Sequence, residues 1–118
     1  SDEFFKEARE TLAYDRNEMI SVLTDTIDNA GEGSEKNSAK EQKDKIIKYM
    51  DMEKSLENLI RSKGYSDAFV IVTDKSVNVT VQADSIDDQD AARILDIVMR
   101  ETGRNADGIV VQAKSAAA

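Results

Sequence analysis

Apolar residues recur at helical spacing along the first quarter of the chain. Between residues 2 and 30 they lie three, four or seven positions apart, which is the spacing of one face of an α-helix. This stripe predicts a first helix, which Ser1 or Asp2 is placed to cap and which Gly31 would end in the left-handed conformation. The stripe consists of Phe5, Leu12, Met19, Ile20, Leu23 and Ile27.

A second apolar stripe follows the polar loop "GEGSEKN" at residues 31–37. Ser38 and Glu41 have the spacing of a capping box, so we expect the second helix to begin there, to run to Lys63 and to stop at Gly64. Two long helices joined by a short loop favour an antiparallel hairpin. The polar segment "YDRNE" of the first helix leaves two alternatives open, a fully packed hairpin or a helix that partly projects toward a partner. The second stripe consists of Ile46, Ile47, Met50, Leu56, Leu59 and Ile60.

Two strand patterns follow the second helix. "DAFVIVTD" is a short continuous apolar run, whereas "SVNVTVQA" alternates strictly between valines and polar residues. Together they predict a β-hairpin that turns through Asp74 and Lys75. Because an alternating strand has one solvent-exposed face, it is expected at an outer position in the sheet. The uniformly apolar strand, Phe69 to Val72, is expected at the centre of the sheet.

A third helix and a final strand complete the pattern. The helix has its apolar face between Ile86 and Met99 and stops at Gly103, and "DGIVVQA" is the last strand. The predicted fold is α+β with the order ααββαβ, in which helices cover one face of a three-stranded sheet. The crossover through the third helix would make the last strand parallel to the second and place it beside the first, giving the strand order 2-1-3.

The domain organisation expected from these elements is one compact unit. Residues 1–37 form an N-terminal helix and loop that belong to it, residues 38–113 form the mixed domain, and residues 114–118 are a disordered tail or a cloning scar. At 118 residues the chain is long enough for a single hydrophobic core. It has no apolar run of the length needed to span a membrane and no signal peptide pattern, so any anchor is expected outside this segment.

Composition excludes several kinds of chemistry. The chain has no cysteine and no histidine, which removes disulfides, cysteine nucleophiles and zinc sites built on those ligands. A net charge of -8 argues against nucleic-acid binding, which depends on neutralising phosphates with basic residues. We therefore predict no catalytic, cofactor or metal site and no enzymatic activity.

The acidic cluster "DSIDDQD" at residues 84–90 shows why we predict no metal site. Gln89 and Leu95 stand where a calcium loop of the EF-hand type needs glycine and glutamate, whereas Ser85 and Asp88 resemble a helix capping box. Carboxylate pairs in a cleft can act as acid and base, for instance Asp67 with Asp74, but nothing in the sequence indicates a cleft around them.

Surface features then remain as candidates for function. Residues 38–63 carry a net charge of +2 while the flanking helices are acidic, which favours either pairing between packed helices or a docking patch at Lys45 and Lys48. The two expected edge strands, "VNVTVQA" and "GIVVQA", contain no proline and few charges to prevent pairing with another chain. Whether loops or helices cover those edges stays open.

Three segments together resemble a known family. "SDEFFKEARETLAYDRNE", "KSLENLIRSKGYSDAFVIVTDKSVNVTVQA" and "AARILDIVMRETG" are similar to the extracytoplasmic domain of the stage III sporulation protein AH family of endospore-forming bacteria. The resemblance covers about residues 2–112 and is most specific in "LIRSKGYSDAFV" and "VNVTV". It is a match of pattern, without a catalytic motif.

The resemblance implies a ring-building motif like that of ring proteins in type III secretion systems. Members of the family are held in the mother-cell membrane by an N-terminal anchor and project into the space between mother cell and forespore. There the domain would form a homo-oligomeric ring and bind the LytM-like domain of stage II sporulation protein Q, together with other channel proteins of the stage III sporulation A operon. The alternative is a protein-binding adaptor that adds a strand to an exposed sheet edge without forming rings.

The candidate interface residues are given by region of the predicted fold, not as individual contacts. They are Asn78, Thr80 and Gln82 on the second strand, Val110 and Gln112 on the last strand, Lys45 and Lys48 on the basic helix, and the exposed side of the first helix. By analogy with the family, the turn from the second helix into the first strand would be set by Gly64, Tyr65, Asp67 and Ala68.

Overall fold

The computed structural model describes residues 2–115. Two long helices come first, α1 (Asp2–Asn29) and α2 (Ser34–Ser62), followed by the strands β1 (Ala68–Val72) and β2 (Val77–Gln82). A third helix, α3 (Asp88–Thr102), a short 3-10 turn (Ala106–Gly108) and β3 (Ile109–Lys114) complete the chain. The α+β class and the ααββαβ order predicted from the sequence are confirmed. No helix within residues 2–115 is long and apolar enough to cross a membrane.

The strand order differs from the prediction. β2 lies in the centre of the sheet, antiparallel to β1 and parallel to β3, so the order is β1-β2-β3 and not 2-1-3. The last strand is parallel to the second, as expected, but it lies beside that strand. The alternation of β2 shows that the two faces of this one strand differ, and its partners on the outer face of β1 are the apolar Phe69 and Ile71, so the pattern does not report the position of a strand within the sheet.

The hydrophobic core lies between the inner face of the sheet and the helices α2 and α3. On β2, the three valines are completely buried on this face. The register aligns them with Ala68, Val70 and Val72 of β1 and with alternate residues of β3, so a shift by one residue would expose all of them. The cluster consists of Leu56, Ile60, Ala68, Val70, Val72, Val77, Val79, Val81, Ile94 and Val98.

Helix α1 packs mainly along α2, outside this core. In the described part of the chain it contributes no residue to the core cluster. The polar segment "YDRNE" does not project, because Arg16 within it is buried against α2 and β1. The molecule extends over 53 × 30 × 20 Å, and its long axis reflects helices of 28 and 29 residues, each about 42 to 44 Å long at 1.5 Å per residue. Met19 and Val22, which follow "YDRNE", are exposed.

The helix ends correct two predictions. Helix α2 begins at Ser34 after Gly33, so Ser38 and Glu41 lie inside the helix and form no capping box. Gly33 has a positive φ of 146°, and Gly31 does not adopt the left-handed conformation expected of it. The expected cap at Ser1 lies outside the described residues, and the side chain of Asp2 is likewise not described. Gly103 ends α3 in the left-handed conformation at φ 69°, which confirms its predicted role.

The connections around the sheet are short. In the hairpin between β1 and β2, the Thr73 amide donates to Ser76 O at 2.9 Å, and Asp74 and Lys75 form the turn as predicted. Strand β3 includes Lys114, and the Ser115 hydroxyl lies 2.9 Å from Asp84 Oδ1. Residues 116–118, the rest of the expected tail, lie outside the described part of the chain.

Candidate protein-interaction surfaces

The sheet edge formed by β1 is closed by side chains of α2. The antiparallel register turns the amides of Val70 and Val72 away from β2, toward the free edge. Both amides donate to buried carboxylates: Val70 N to Glu57 Oε2 at 3.0 Å and Val72 N to Glu53 Oε2 at 2.8 Å. The two glutamates therefore occupy the donors that an added strand would need.

Two arginines of α1 complete the closure. Arg9 Nη2 donates to the carbonyl of Ala68, and Arg16 Nη2 donates to the carbonyl of Val72 at 3.3 Å. We call the four side chains Arg9, Arg16, Glu53 and Glu57 the edge ladder. Because charged side chains bond the outward amides of Val70 and Val72 and the carbonyls of Ala68 and Val72, β1 is protected from edge-to-edge pairing.

The edge ladder is held together by ion pairs between the helices. Arg16 and Glu53 form two parallel hydrogen bonds of 3.1 and 2.9 Å, and their side chains are only 11% and 7% exposed. Arg9 Nε lies 3.7 Å from Glu57 Oε1. Burial raises the pKa of Glu57 even though the Val70 amide and Arg9 favour its charged form. The arginines of these pairs lie on α1, the acidic helix, and the glutamates lie on α2, the basic helix. Each paired side chain therefore has a charge opposite to the net charge of its own helix.

The predicted turn residues lie between α2 and β1. Gly64 has φ 110° and its amide donates to Arg61 O at 3.0 Å, while Tyr65 is partly buried against the core. Asp67 Oδ1 accepts from the Ala68 amide at 2.8 Å and from Arg9 at 2.6 Å. Burial alone would raise the pKa of Asp67, but Arg9 and the Ala68 amide lower it below its usual value. These contacts support the predicted architectural role of the turn.

The opposite sheet edge, formed by β3, is open. The Lys114 carbonyl accepts from the Ala83 amide at 3.1 Å, so the backbone groups of Lys114 face β2. Since these groups alternate along a strand, the amides and carbonyls of Val111 and Ala113 face away from β2. Among the hydrogen bonds outside helices and strands that the structure describes for residues 2–115, none uses these groups. Val110 on the same strand is 51% exposed.

The candidate residues of β2 are not at an edge. Asn78, Thr80 and Gln82 lie on the outer face of the central strand, and Thr80 is buried. Gln112 Nε2 donates to Thr80 Oγ1 at 3.1 Å across to β3. Their expected position was therefore wrong, because it followed from the wrong strand order. Val110 and Gln112 do lie on an edge strand, as predicted.

The basic helix is partly engaged within the molecule. Lys45 Nζ lies 3.5 Å from Asp74 Oδ2, and the Tyr49 hydroxyl donates to Asp74 Oδ1 at 2.5 Å. This hydrogen bond lowers the pKa of Asp74 and raises the pKa of Tyr49. Lys48 is exposed. The contact of Lys45 with Asp74 supports the alternative in which the basic helix pairs within the molecule. The exposure of Lys48 leaves open the alternative in which a partner docks at this helix.

A groove lies where the helical hairpin passes the turn of the β-hairpin. Its volume is about 480 Å³, and Ile46 and Val72 are its buried apolar residues. Lys45 and Lys75 supply positive charge to its lining, and Met19 is shared with an adjoining shallow groove that includes Val22. An apolar lining with charged residues is the usual composition of a binding cleft.

The acidic residues do not assemble into a chemical site. Asp67 and Asp74 lie at opposite ends of β1, each with its own basic partners, so they do not form an acid and base pair. Asp87, not Ser85, caps α3, with its Oδ1 accepting from the Asp90 amide at 2.8 Å. The capping role of this acidic cluster is confirmed with that change of residue. In the range 2–115, no three carboxylates are grouped to hold a metal ion.

Sequence reasoning missed the edge ladder, although the sequence contains a signal for it. Arg9 and Arg16 are seven residues apart and fall between apolar residues of the first stripe, at the spacing of its buried face. Glu53 and Glu57 interrupt the second stripe in the same way. Charged residues at buried helical positions are rarely left unpaired, so their coincidence in two helices predicts ion pairs between them.

The comparisons with known proteins agree with this architecture. The model of the family described as SpoIIIAH-like protein matches residues 1–111. Stage III sporulation protein AH of Bacillus subtilis (strain 168) is 34% identical over 67 residues, which are 57% of this chain and 31% of that protein. The chain thus spans about a third of the length of this curated relative.

A solved structure extends the match to nearly the whole chain. A chain of the structure titled "Structure of the SpoIIQ-SpoIIIAH pore forming complex" superposes with a TM-score of 0.79 at 25% sequence identity. The alignment covers 95% of this chain and 96% of that one. The resemblance seen in the sequence is therefore confirmed, and because the family model spans residues 1–111, the protein belongs to the SpoIIIAH-like protein family.

Proposed function

We propose that this domain is a non-enzymatic structural component of the channel between mother cell and forespore, and that it binds a SpoIIQ-type partner. The observation that carries the proposal is the match over 95% of the chain to a protein from a SpoIIQ-SpoIIIAH pore-forming complex. The match includes nearly all of the chain, so it extends to the long helices as well as the sheet. Binding to the LytM-like domain of stage II sporulation protein Q is the central element of this function.

We further propose that copies of the domain assemble into a ring, together with other channel proteins of the stage III sporulation A operon. The molecule has two unlike surfaces, the open edge of β3 and the groove lined by Met19, Lys45 and Lys75. Unlike surfaces suit head-to-tail contacts, which generate rings when the rotation between copies closes. The domain would lie in the intermembrane space, held at the mother-cell membrane by an N-terminal anchor.

A second candidate function is a protein-binding adaptor that forms no ring. It is favoured by a single observation, the open edge of β3, which presents unpaired backbone groups to any extended segment. This adaptor would bind one partner per copy and would not associate with itself. The two candidates therefore differ in self-association and in the identity of the partner.

The test is size-exclusion chromatography with light scattering on the domain alone and mixed with the ectodomain of SpoIIQ from the same organism. We expect a defined complex with SpoIIQ. Separate elution at concentrations well above micromolar would contradict the proposed partnership. Because ring contacts gain strength when a membrane concentrates the copies, self-association is measured with the domain tethered to vesicles through an N-terminal tag. Clustering of tethered copies supports the ring, and its absence favours the adaptor.

Charge provides a second, independent readout. Replacing Lys45 and Lys48 by glutamate removes positive charge from one exposed region of α2. If this region steers the partner, association slows, and the effect is largest at low salt. Association at an unchanged rate in low salt would exclude this region from the interface.

A further inference from the structure

We propose that helix α1 is exchanged between copies of this protein, so that it leaves its own seat and occupies the identical seat on a second copy. The seat is the surface of α2 and β1 that carries Glu53, Glu57 and Asp67. This inference goes beyond the proposed function and does not depend on which other surfaces form the ring. It predicts that two copies share a helix while the core of each copy stays intact.

The core of the domain is complete without α1. Among residues 2–115, neither the core cluster nor the partly buried apolar residues packed against it include a residue of α1. The core is built from α2, α3, the sheet and the segments that connect them. Because α1 precedes all of these elements in the chain, its departure interrupts no connection within the core. Helix α1 is therefore a terminal unit that moves without unpacking the rest.

The seat is unfavourable when it is empty. The side chain of Glu53 is only 7% exposed, and its cation, Arg16, comes from α1. Departure of α1 without a replacement would leave this carboxylate buried and unpaired, which is strongly destabilising. It would also expose Phe5 of α1, which is completely buried. Each α1 therefore needs a seat and each seat needs an α1, and a second copy supplies both.

The charges of the seat select α1 over other helices. Arg9 donates to Asp67 at 2.6 Å, and Arg16 donates to Glu53 at 2.9 Å. The two arginines are seven residues apart, which is about 10.5 Å along a helix at 1.5 Å per residue. A helix that fits must present two guanidinium groups at this spacing and an apolar side chain like Phe5 beside them. Helix α1 of a second copy meets this requirement by identity.

The connection between α1 and α2 has the properties of a hinge. Only residues 30–33 join the two helices. Gly33 lies at φ 146°, a conformation that other residues rarely adopt, and no side chain caps the start of α2 there. A Cβ placed at Gly31 or Gly33 would meet nothing within 4 Å, so the loop is not enclosed by the rest of the molecule. Short hinge loops of this kind favour domain swapping.

Exchange preserves the edge ladder and changes only the hinge. Because the closed and exchanged forms contain the same contacts, the backbone of residues 30–33 and the protein concentration set the balance between them. Reciprocal exchange gives a dimer, whereas one-way exchange passes α1 from copy to copy and gives longer assemblies. In both cases the groove is built from two copies, since Met19 comes from α1 and Lys45 and Lys75 come from the rest of the chain.

The variant Gly33→Ala tests the hinge in the complete chain. Alanine is strained at φ 146°, so the closed form is disfavoured by about tenfold per chain. A reciprocal dimer contains two hinges, so its dissociation constant should be about a hundredfold lower than that of the wild type. The matched control is Gly64→Ala, which places alanine at φ 110° with nothing within 4 Å, but outside the hinge. The measurement is size-exclusion chromatography with light scattering after refolding over a range of concentrations.

The expected result is that Gly33→Ala forms dimers or larger assemblies at concentrations at which the wild type and Gly64→Ala stay monomeric. A folded Gly33→Ala variant that is still monomeric at about 1 mM overturns the inference. Equal self-association of the two variants also overturns it, because strain anywhere in the chain would then be sufficient. Binding of SpoIIQ is measured separately, so the proposed function stands or falls independently of exchange.

Mixed isotope labelling identifies the element that is exchanged. Equal amounts of labelled and unlabelled Gly33→Ala chains are unfolded and refolded together. Isotope-filtered nuclear Overhauser effects are then expected between chains, from Arg16 to Val72 and from Arg9 to Ala68, which are in contact within one closed molecule. Association in which these contacts stay within single chains would show that copies meet as rigid bodies, and it would overturn the inference.

Discussion

The buried pair of Arg16 and Glu53 offers the sharpest test of how α1 is attached. Arg16 donates two hydrogen bonds to Glu53, at 3.1 and 2.9 Å, and a third to Val72 O at 3.3 Å. Glu53 in turn accepts the Val72 amide at 2.8 Å. Arg16→Met keeps most of the apolar length of the side chain and removes only the charge, so it leaves Glu53 buried without its cation.

The magnitude follows from burial. Breaking a buried ion pair by removing one partner costs about 3–5 kcal/mol. Because the two side chains are 11% and 7% exposed and not completely enclosed, we expect the lower end, about 3 kcal/mol. An unfolding entropy of about 2.1 cal/mol/K per residue gives about 0.25 kcal/mol/K for 118 residues, so the melting temperature should fall by roughly 12 °C.

The assay is thermal unfolding followed by circular dichroism, on Arg16→Met, Glu53→Met and the double variant. Removing both charges leaves no unpaired ion, so the double variant should be about 2 kcal/mol more stable than the sum of the two single effects implies. The control is Lys45→Met, which removes an exposed pair with Asp74 and should not move the melting temperature measurably. A drop of less than about 3 °C for Arg16→Met, or strict additivity in the double variant, would refute this account of the pair.

Two further predictions concern the turn before β3 and the start of β1. A Cβ at Gly108 would lie 2.6 Å from Lys75 O, so Gly108→Ala should cost about 1–3 kcal/mol in urea unfolding, whereas Gly31→Ala, with nothing within 4 Å, is a control expected to stay near wild type. The lowered pKa of Asp67 adds stability above its unfolded pKa of about 3.9, and this stability is lost as the pH falls through the folded pKa. In urea midpoints measured from pH 7 to pH 3, Asp67→Asn should therefore be less stable at neutral pH and lose less stability on acidification. Parallel pH curves for both proteins would contradict this role. Glu57, whose raised pKa acts in the opposite direction, is present in both proteins and cancels in the comparison.

The elements themselves could be read from the sequence because their signals are local. Apolar spacing identified three helices, strict alternation identified β2, and Gly103 marked the end of α3. Helix starts were less accurate. Gly33, with its positive φ, precedes α2 without a side-chain cap, and Asp87 replaced Ser85 as the cap of α3, because several nearby polar residues can serve as caps at similar free energy.

The candidate interface was only half predictable. Val110 and Gln112 were placed on an edge strand correctly, since the last strand was expected at the end of the sheet in either order. Asn78, Thr80 and Gln82 were misplaced because their polar character was attributed to an exposed edge, whereas it arises from the outer face of a central strand. Gln112 bonded to Thr80 satisfies part of that face.

By itself, the sequence determined the helices, the hairpin, the absence of histidine and cysteine chemistry, and the family resemblance, since each depends on residue type and on spacing within one segment. The tertiary structure decided the strand order and the contrast between a closed and an open sheet edge. The edge ladder depends on residues from two helices meeting one strand, with Arg9 and Asp67 separated by 58 positions. The spacing of the charges indicates pairing between α1 and α2, but no local period encodes their contact with β1, because it is the packing of both helices against this strand that brings those charges to its backbone groups.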